Sequence, residues 1–313
     1  MRTSETAVAL SRVRLTRLVR GCAVLTLISG LTGCGLSDVS QPSRRVGPKR
    51  VTGPILVAAG DIACPRGERV TAVKCRMAET AKLAENLKPR AVVTLGDQQY
   101  DSPSSRGYRV YDHTWGSLKS ITRPVLGDHG KRNYYTYFEN QLPRQHPNYY
   151  AYNLGTWRVY ALDSSCTGSA CDPQVQWLER DMTANPRKCT LLTMHRPRYS
   201  SGRKAGGTAE VNPFWVVGLR HHADVALAGH EHNYERFDRM NANDELDPAG
   251  MRSFVVGTGG KNLYGFVQPT IGSTVRVDRE FGVLTLTLGT NSYAWRYETM
   301  DEGTLDAGTS YCV

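Results

Sequence analysis

The chain has 313 residues, of which 40% are hydrophobic, and its mean hydropathy is −0.42. These values are typical of a globular protein, and they exclude a multi-span membrane protein and a disordered chain. The formal net charge is +10, yet residues 54–313 carry 30 basic against 27 acidic side chains. Because most of the basic excess precedes residue 54, we expect no nucleic-acid partner.

The N-terminal segment has the layout of an export signal. The first 20 residues contain five arginines, and an apolar stretch follows, residues 21–33, that is too short to span a bilayer comfortably. The stretch ends in small residues directly before Cys34, as in a bacterial lipoprotein signal whose cysteine is lipidated. We therefore expect a signal peptide over 1–33 and anchoring through Cys34 to the outer face of the cell membrane. An ordinary signal peptide with an incidental Cys34 is the alternative.

A tether and a folded domain are predicted after the anchor. Residues 35–53 are rich in Ser, Pro, Gly and Arg and lack apolar periodicity, so with Cys34 they form a predicted flexible tether over 34–53. The folded domain is predicted over 54–313, and its predicted elements follow in chain order: strand 55–59, helix 71–87, strands 91–95, 149–154 and 157–162, helix 172–184, and strands 189–194, 224–228, 252–257, 274–278, 282–289 and 292–299.

The order of these elements predicts an α/β fold. Strand, helix, strand in the first half favours parallel pairing, and the strand-rich end favours a second sheet. Four polar residues follow the ends of predicted apolar strands: Asp61, Asp97, His195 and His230. Ligands of open α/β sheets bind at that edge. Asp and His side chains are ligands for Fe, Zn and Mn, so the sequence predicts a metal site there.

Six cysteines remain in the predicted domain, and an even number in an oxidising compartment favours disulfides. Sequence alone leaves 15 pairings open. Proximity along the chain favours Cys64–Cys75 and Cys166–Cys171, which would leave Cys189 to pair with Cys312.

Five motifs occur in a fixed order: Gly60-Asp61, Gly96-Asp97 followed by Tyr100, Gly127-Asp128-His129, His195, and Gly229-His230-Glu231-His232. Together they resemble the calcineurin-like metallophosphoesterase superfamily and, within it, the purple acid phosphatases. The resemblance covers roughly residues 54–300. It implies a four-layer αββα sandwich of two mixed β-sheets flanked by helices, with a binuclear metal site at the sheet edges.

The resemblance also implies a role for each motif residue. Asp61, Tyr100 and His232 would hold Fe(III), while Asp128, His195 and His230 would hold Fe(II), Zn or Mn, and Asp97 would bridge both ions. Many family members have a first-metal histidine two residues after the first Asp, but this chain has Ala63 there. Tyr100 is the available replacement, and purple acid phosphatases place a tyrosine at that position.

Two departures bear on the expected chemistry. The family has Asn where this chain has Asp128, which adds one negative charge and favours either a ferric first metal or less charged diester substrates. His129 is the candidate proton donor to the leaving group. Gly130 replaces the usual acidic neighbour.

The implied function is hydrolysis of small phosphate esters by an exported enzyme. A phosphodiesterase or nucleotidase with two divalent ions is one alternative, and a non-catalytic binding lipoprotein that retains the fold is another. Asp163 is expected to cap a loop. Four basic residues around a Ser/Gly-rich loop, which either contact substrate phosphate or face solvent, are Arg196, Arg198, Arg203 and Lys204.

Overall fold

The computed structural model describes Pro48, residues 50–100 and residues 108–313. The predicted signal 1–33, Cys34 and most of the predicted tether lie outside these described residues. Within the described part of the chain, no helix combines the length and apolarity needed to cross a membrane.

Thirteen strands are found in the described residues: β1 (Ile55–Ala59), β2 (Ala91–Leu95), β3 (Thr122–Val125), β4 (Tyr150–Leu154), β5 (Trp157–Ala161), β6 (Thr190–Thr193), β7 (Val225–Ala228), β8 (Tyr234–Phe237), β9 (Arg252–Val256), β10 (Ser273–Val277), β11 (Gly282–Leu288), β12 (Ser292–Thr299) and β13 (Thr304–Tyr311). The α-helices of the same residues are α1 (Met77–Asn86), α2 (Arg109–Trp115), α3 (Lys131–Tyr137), α4 (Asp172–Ala184) and α5 (Asn212–Arg220).

The strands form two mixed sheets. The first has six strands in the order β13-β12-β11-β1-β2-β3, and β1, β2 and β3 run parallel. The second has seven strands in the order β10-β8-β9-β7-β6-β5-β4, and β5, β6, β7 and β9 run parallel. The parallel strands form one side of the first sheet and the middle of the second, and their carboxyl ends define the edge at which loops can meet.

Helices cover the outer faces of both sheets. Ala81 and Ala84 of α1 are buried in one apolar cluster with strands of the first sheet. Leu178 of α4 and Trp215 of α5 pack on the outer face of the second sheet. A strand that is covered on both faces has a nearly continuous run of apolar residues. β2 is such a strand, because it is buried along its whole length. The predicted four-layer αββα sandwich is confirmed.

Three disulfides link the six cysteines of the domain. They join Cys64 to Cys75, Cys166 to Cys171 and Cys189 to Cys312, so the pairing favoured by proximity is confirmed. The third bond connects the residue before β6 to the residue after β13 and therefore links the two sheets covalently.

The structure corrects the predicted start of the first helix. The prediction was 71–87, but α1 begins at Met77. Cys75 is tied to Cys64, and Lys74 forms isolated bridges with Thr71 and Asn262, so these residues cannot adopt helical geometry. The structure also adds three strands that were not predicted, β3, β8 and β13.

Candidate metal centre

Loops at the carboxyl ends of parallel strands from both sheets bring the seven predicted metal ligands together. Three acidic residues follow strands of the first sheet: Asp61 comes after β1, Asp97 after β2 and Asp128 after β3. His195 follows β6 and His230 follows β7 of the second sheet. Tyr100 and His232 complete the set from the same loops as Asp97 and His230.

Asp61, Tyr100 and His232 form one group of donors. The Tyr100 hydroxyl donates to Oδ1 of Asp61 at 2.7 Å and lies 2.8 Å from Nε2 of His232. Nε2 of His232 is 3.3 Å from the same Asp61 oxygen. All three side chains are buried. Three oxygen and nitrogen donors therefore converge on one point, as the predicted first metal site requires.

Asp128, His195 and His230 form the second group. Nδ1 of His230 lies 3.2 Å from Nε2 of His195 and 3.4 Å from Oδ2 of Asp128. One donor atom from each of these residues lies within 4.8 Å of the others, and the same holds for Asp61, Asp97 and His195. Asp97 is thus placed between the two groups, with Oδ2 3.4 Å from Nε2 of His195.

The orientation of His195 suits a metal ligand. Its Nδ1 lies 2.8 Å from the carbonyl oxygen of Leu95, which can only accept a hydrogen bond, so Nδ1 carries a proton and Nε2 faces the acidic residues. Burial disfavours the imidazolium, but Asp97 outweighs it and raises the pKa of His195 to about 10. The surrounding carboxylates therefore favour positive charge at this position.

The surroundings of Tyr100 favour the neutral form of its phenol. Burial, then the negative charges of Asp61 and Asp97, raise the pKa of its phenol well above the usual value. Burial also tends to raise the pKa of Asp61, but neighbouring His232 holds that pKa below its usual value. A phenolate at Tyr100 would therefore need a bound cation to stabilise it.

Three of the clustered residues occupy the left-handed backbone region. The φ angles are 59° at Asp61, 45° at Asp97 and 71° at His230. Non-glycine residues adopt this region at a cost of about 1–3 kcal/mol each, and such strain concentrates at functional sites. The strained turns direct the two carboxylates and the imidazole inward from the strand ends.

The glycines of the motifs allow the backbone to approach the acidic side chains. A β-carbon on Gly127 would lie 2.2 Å from Oδ1 of Asp97, and one on Gly229 would lie 2.7 Å from Oδ2 of Asp61. The same carboxylates accept main-chain hydrogen bonds, from His129 to Asp97 and from His230 to Asp61, both at 2.8 Å. Glycine is therefore required at both positions.

His129 lies beside the donor groups. Its imidazole ring is 4.7 Å from the Tyr100 ring, centroid to centroid, and its Nε2 is 4.0 Å from Oδ2 of Asp97. The side chain is 46% exposed, so it is accessible to a substrate at the rim. The carbonyl oxygen of Ala63 accepts a hydrogen bond from the backbone N–H of Tyr100 at 2.9 Å. Tyr100 therefore lies next to the position at which many family members have a histidine ligand.

The remaining predicted residues divide between the site and its surroundings. Asp163 caps its own loop by accepting the Ser165 backbone N–H at 2.8 Å. Arg198 is paired with Asp244, whereas Arg203 and Lys204 are exposed. Arg196 contacts the Asp128 carboxylate.

Two supporting residues were missed in the sequence. The buried Glu231 carboxylate accepts backbone N–H groups of Lys204, Ala205 and Gly206. Tyr264 stacks on the His232 ring with a centroid separation of 4.1 Å and an interplanar angle of 10°. Glu231 lies inside the His-x-His motif, which is a signal for a role near the site, but nothing in the sequence marks Tyr264.

The curated proteins that the chain resembles in sequence include purple acid phosphatases. No protein-family model matches the chain. Purple acid phosphatase 21 of Arabidopsis thaliana is 32% identical over 117 residues, which are 36% of this chain and 26% of that protein. The chain thus spans about a quarter of the length of such curated relatives. The sequence resemblance to purple acid phosphatases is confirmed.

Solved structures share the fold. A purple acid phosphatase from yellow lupin (Lupinus luteus) seeds matches with a TM-score of 0.62, at 18% identity, over 84% of this chain and 55% of that one. A dimetal phosphatase from Danio rerio matches with a TM-score of 0.55, at 12% identity, over 84% and 100%. GAP50, described as the anchor in the inner membrane complex of Plasmodium, matches with a TM-score of 0.61, at 12% identity, over 84% and 90%. The chain therefore has the calcineurin-like phosphoesterase fold.

Proposed function

We propose that this chain is a binuclear-metal hydrolase of phosphate esters that resembles purple acid phosphatases in its chemistry. The observation that carries the proposal is the pair of Asp/His donor groups, with Asp97 between them, at the carboxyl ends of parallel strands. The purple acid phosphatase relatives and the shared fold support it. The substrate class is a small phosphate monoester.

The seven clustered residues are proposed as the metal ligands. Asp61, Tyr100 and His232 would hold Fe(III), because a phenolate is a hard anionic donor suited to ferric iron. A second ion, Fe(II), Zn or Mn, would be held by Asp128, His195 and His230, with Asp97 shared between both ions. When bound, such a pair supplies Lewis acidity and a water of lowered pKa.

The chain's own residues would orient the substrate and move the proton. The Leu95 carbonyl fixes the His195 tautomer, and the glycine turns fix the carboxylates. His129 is proposed to donate a proton to the leaving alkoxide, because its imidazole is accessible and lies beside Asp97. Exposed Arg203 and Lys204 would attract the anionic substrate to the rim.

Cellular location and domain limits are part of the proposal. The three disulfides support export into an oxidising compartment. Removal of residues 1–33, lipidation of Cys34 and a tether up to residue 53 would leave the catalytic domain, residues 54–313, at the outer face of the cell membrane. Mass spectrometry of the N-terminal peptide from the native membrane fraction tests this; an unmodified Cys34 would refute the anchor.

Hydrolysis of an aryl phosphate by the purified chain tests the function. We expect turnover by the wild type with two metal ions per chain, and a loss of at least about a hundredfold in His230→Ala, which removes one ligand of the second ion. His222→Ala serves as a matched control, because that histidine lies at the far end of β7 from the donor groups. A metal-loaded wild type without turnover contradicts the proposal.

Two alternatives have observations in their favour. The carboxylate at Asp128, in place of the family's Asn, favours less charged diester substrates, as the alternative of a phosphodiesterase requires. Comparing monoester and diester turnover in Asp128→Asn tests this, and an unchanged ratio with unchanged metal content contradicts it. The same change at Asp128 is the observation behind the other alternative, a non-catalytic binding lipoprotein that retains the fold and would show no turnover.

A further inference from the structure

Arg196 contacts the one proposed ligand that departs from the family pattern. Its Nη2 lies 3.1 Å from Oδ1 and 3.2 Å from Oδ2 of Asp128, and its Nε lies 3.2 Å from Oδ2. Oδ2 of Asp128 also points to the donor group, 3.4 Å from Nδ1 of His230. The carboxylate is therefore shared between the guanidinium on its outer side and the proposed second metal site on its inner side.

The backbone holds Arg196 in this place. The Ser164 hydroxyl oxygen accepts the backbone N–H of Arg196 at 2.8 Å and that of His195 at 3.2 Å. The arginine is thus fixed relative to its neighbour, the proposed ligand His195. Its side chain is 31% exposed and that of Asp128 20% exposed, so the pair lies at the rim of the site, where an approaching anion meets its charge.

We propose that Arg196 is a positioning residue that cancels the extra charge of Asp128. Replacing a neutral amide by a carboxylate adds one negative charge beside the proposed metal pair, and this would repel a phosphate anion. A guanidinium is permanently charged and matches a carboxylate in a forked geometry, so Asp128 and Arg196 together present the net charge of an amide. This inference rests on the proposed function.

The Asp128–Arg196 pair affects which substrate charge the site would accept. The carboxylate by itself would favour less charged diesters, but the carboxylate–guanidinium pair removes that penalty. The site would then keep its affinity for dianionic monoesters despite Asp128.

Binding of inorganic phosphate to the full-length, metal-loaded chain tests the proposal by calorimetry. We expect Arg196→Gln to bind phosphate about tenfold more weakly than the wild type, because one negative charge is left uncompensated near the anion. We expect Asp128→Asn to bind it more tightly, and the double variant Asp128→Asn/Arg196→Gln to return to within about threefold of the wild type. Arg196→Lys, which retains the charge, should remain within about threefold.

Arg198→Gln is the matched control, since Arg198 lies two residues along the same loop but pairs with Asp244. Metal content, measured by mass spectrometry for Arg196→Gln and Arg198→Gln, should remain at the wild-type value, because removing a cation does not weaken a neighbouring metal site.

Unchanged phosphate affinity in Arg196→Gln would overturn the proposal. So would a double variant as weak as Arg196→Gln, because Arg196 would then act on phosphate directly and not through Asp128. Failure of the proposed function gives a different result, namely a wild type that retains no metal or hydrolyses no phosphate ester.

Discussion

Tyr100 is the proposed ligand that would distinguish an iron site from a site for two divalent ions. Its hydroxyl is shared between Asp61 and His232, and its burial opposes ionisation. An Fe(III) ion would convert the phenol into a phenolate, and an iron–phenolate pair absorbs visible light. The identity of the first metal can thus be read from the colour of the protein.

Tyr100→Phe should therefore bleach the purified protein if Fe(III) is the first metal. The ring remains to fill its buried position, so we expect a stable fold with visible absorption lost and less iron bound. Tyr264→Phe is the control, because that ring stacks on His232 while its hydroxyl forms a hydrogen bond with Asn262. Colour retained in Tyr100→Phe would mean that the tyrosine does not bind iron, and a colourless, iron-free wild type would favour two divalent ions.

Asp224 is a buried acid far from the proposed metal site. It accepts the backbone N–H groups of Thr190 at 2.9 Å and Val313 at 2.7 Å, next to the disulfide that joins Cys189 and Cys312. Burial outweighs these hydrogen bonds and raises the pKa of Asp224 from 3.8 to about 6. The folded state therefore binds this proton more tightly than the unfolded state does.

Because the folded pKa is the higher one, the protonated acid favours folding, and this contribution to the free energy of unfolding is lost as pH rises from about 4 to 6. The expected loss is about 2–3 kcal/mol. Urea unfolding at pH 4, 5, 6 and 7 should show this slope in the wild type and not in Asp224→Asn. The exposed Glu210→Gln should retain it, and equal slopes in all three proteins would contradict the assignment.

Among the elements, the loop that carries Arg203 and Lys204 depends on a residue of another loop. Glu231 lies between the two histidines of its motif, and its carboxylate accepts three consecutive backbone N–H groups of residues 204–206. This one buried carboxylate therefore links the turn that carries His230 and His232 to the loop that carries Arg203 and Lys204.

Glu231→Gln should free this loop, because an amide offers one acceptor oxygen and directs its NH₂ group at main-chain donors. Hydrogen bonds to a charged group contribute about 1.5–3 kcal/mol each, so the loop should open locally. We expect faster hydrogen exchange at residues 203–206 and a higher KM with metal content retained. Glu245→Gln, an exposed acid, is the control; unchanged exchange in Glu231→Gln would show that the carboxylate does not hold the loop.

The sequence predicted most of the buried strands, but it missed two of the four edge strands, β3 and β13, and the interior strand β8. β2 is apolar throughout because both of its faces are covered, and that pattern is visible without a structure. β3 is a four-residue edge strand with Pro124 in it, and proline is tolerated only at such edges. β13 is the opposite edge of the same sheet, and only one of its eight residues is fully buried, so no apolar pattern marks it.

The proposed metal ligands could be predicted because each follows a strand end, but their supporting contacts could not. Arg196 and Asp128 are 68 positions apart, and Glu231 lies 26 positions from Ala205. Such pairs depend on how two loops approach each other, and neither periodicity nor composition encodes that approach.

At the scale of the whole molecule, the Cys189–Cys312 disulfide joins the two sheets. Cys189 lies at the amino end of β6, and His195 lies past the carboxyl end of the same strand. The covalent link and the proposed metal site are therefore at opposite ends of the domain.

Replacing Cys189 and Cys312 together by alanine should lower the free energy of unfolding by about 2–5 kcal/mol, because the bond closes a long loop. Metal content should not change. The double replacement of Cys166 and Cys171, which are only five residues apart, should cost less. Chemical unfolding of both variants tests this, and equal losses would contradict the dependence on loop length.

Two metal ions are proposed to lie side by side where the strand ends of the two sheets meet. Anomalous X-ray diffraction from crystals of the purified protein tests this proposal most directly. We expect two peaks per chain, one between Asp61, Tyr100 and His232 and one between Asp128, His195 and His230, with Asp97 in contact with both. A single peak, or peaks away from these residues, would contradict the account.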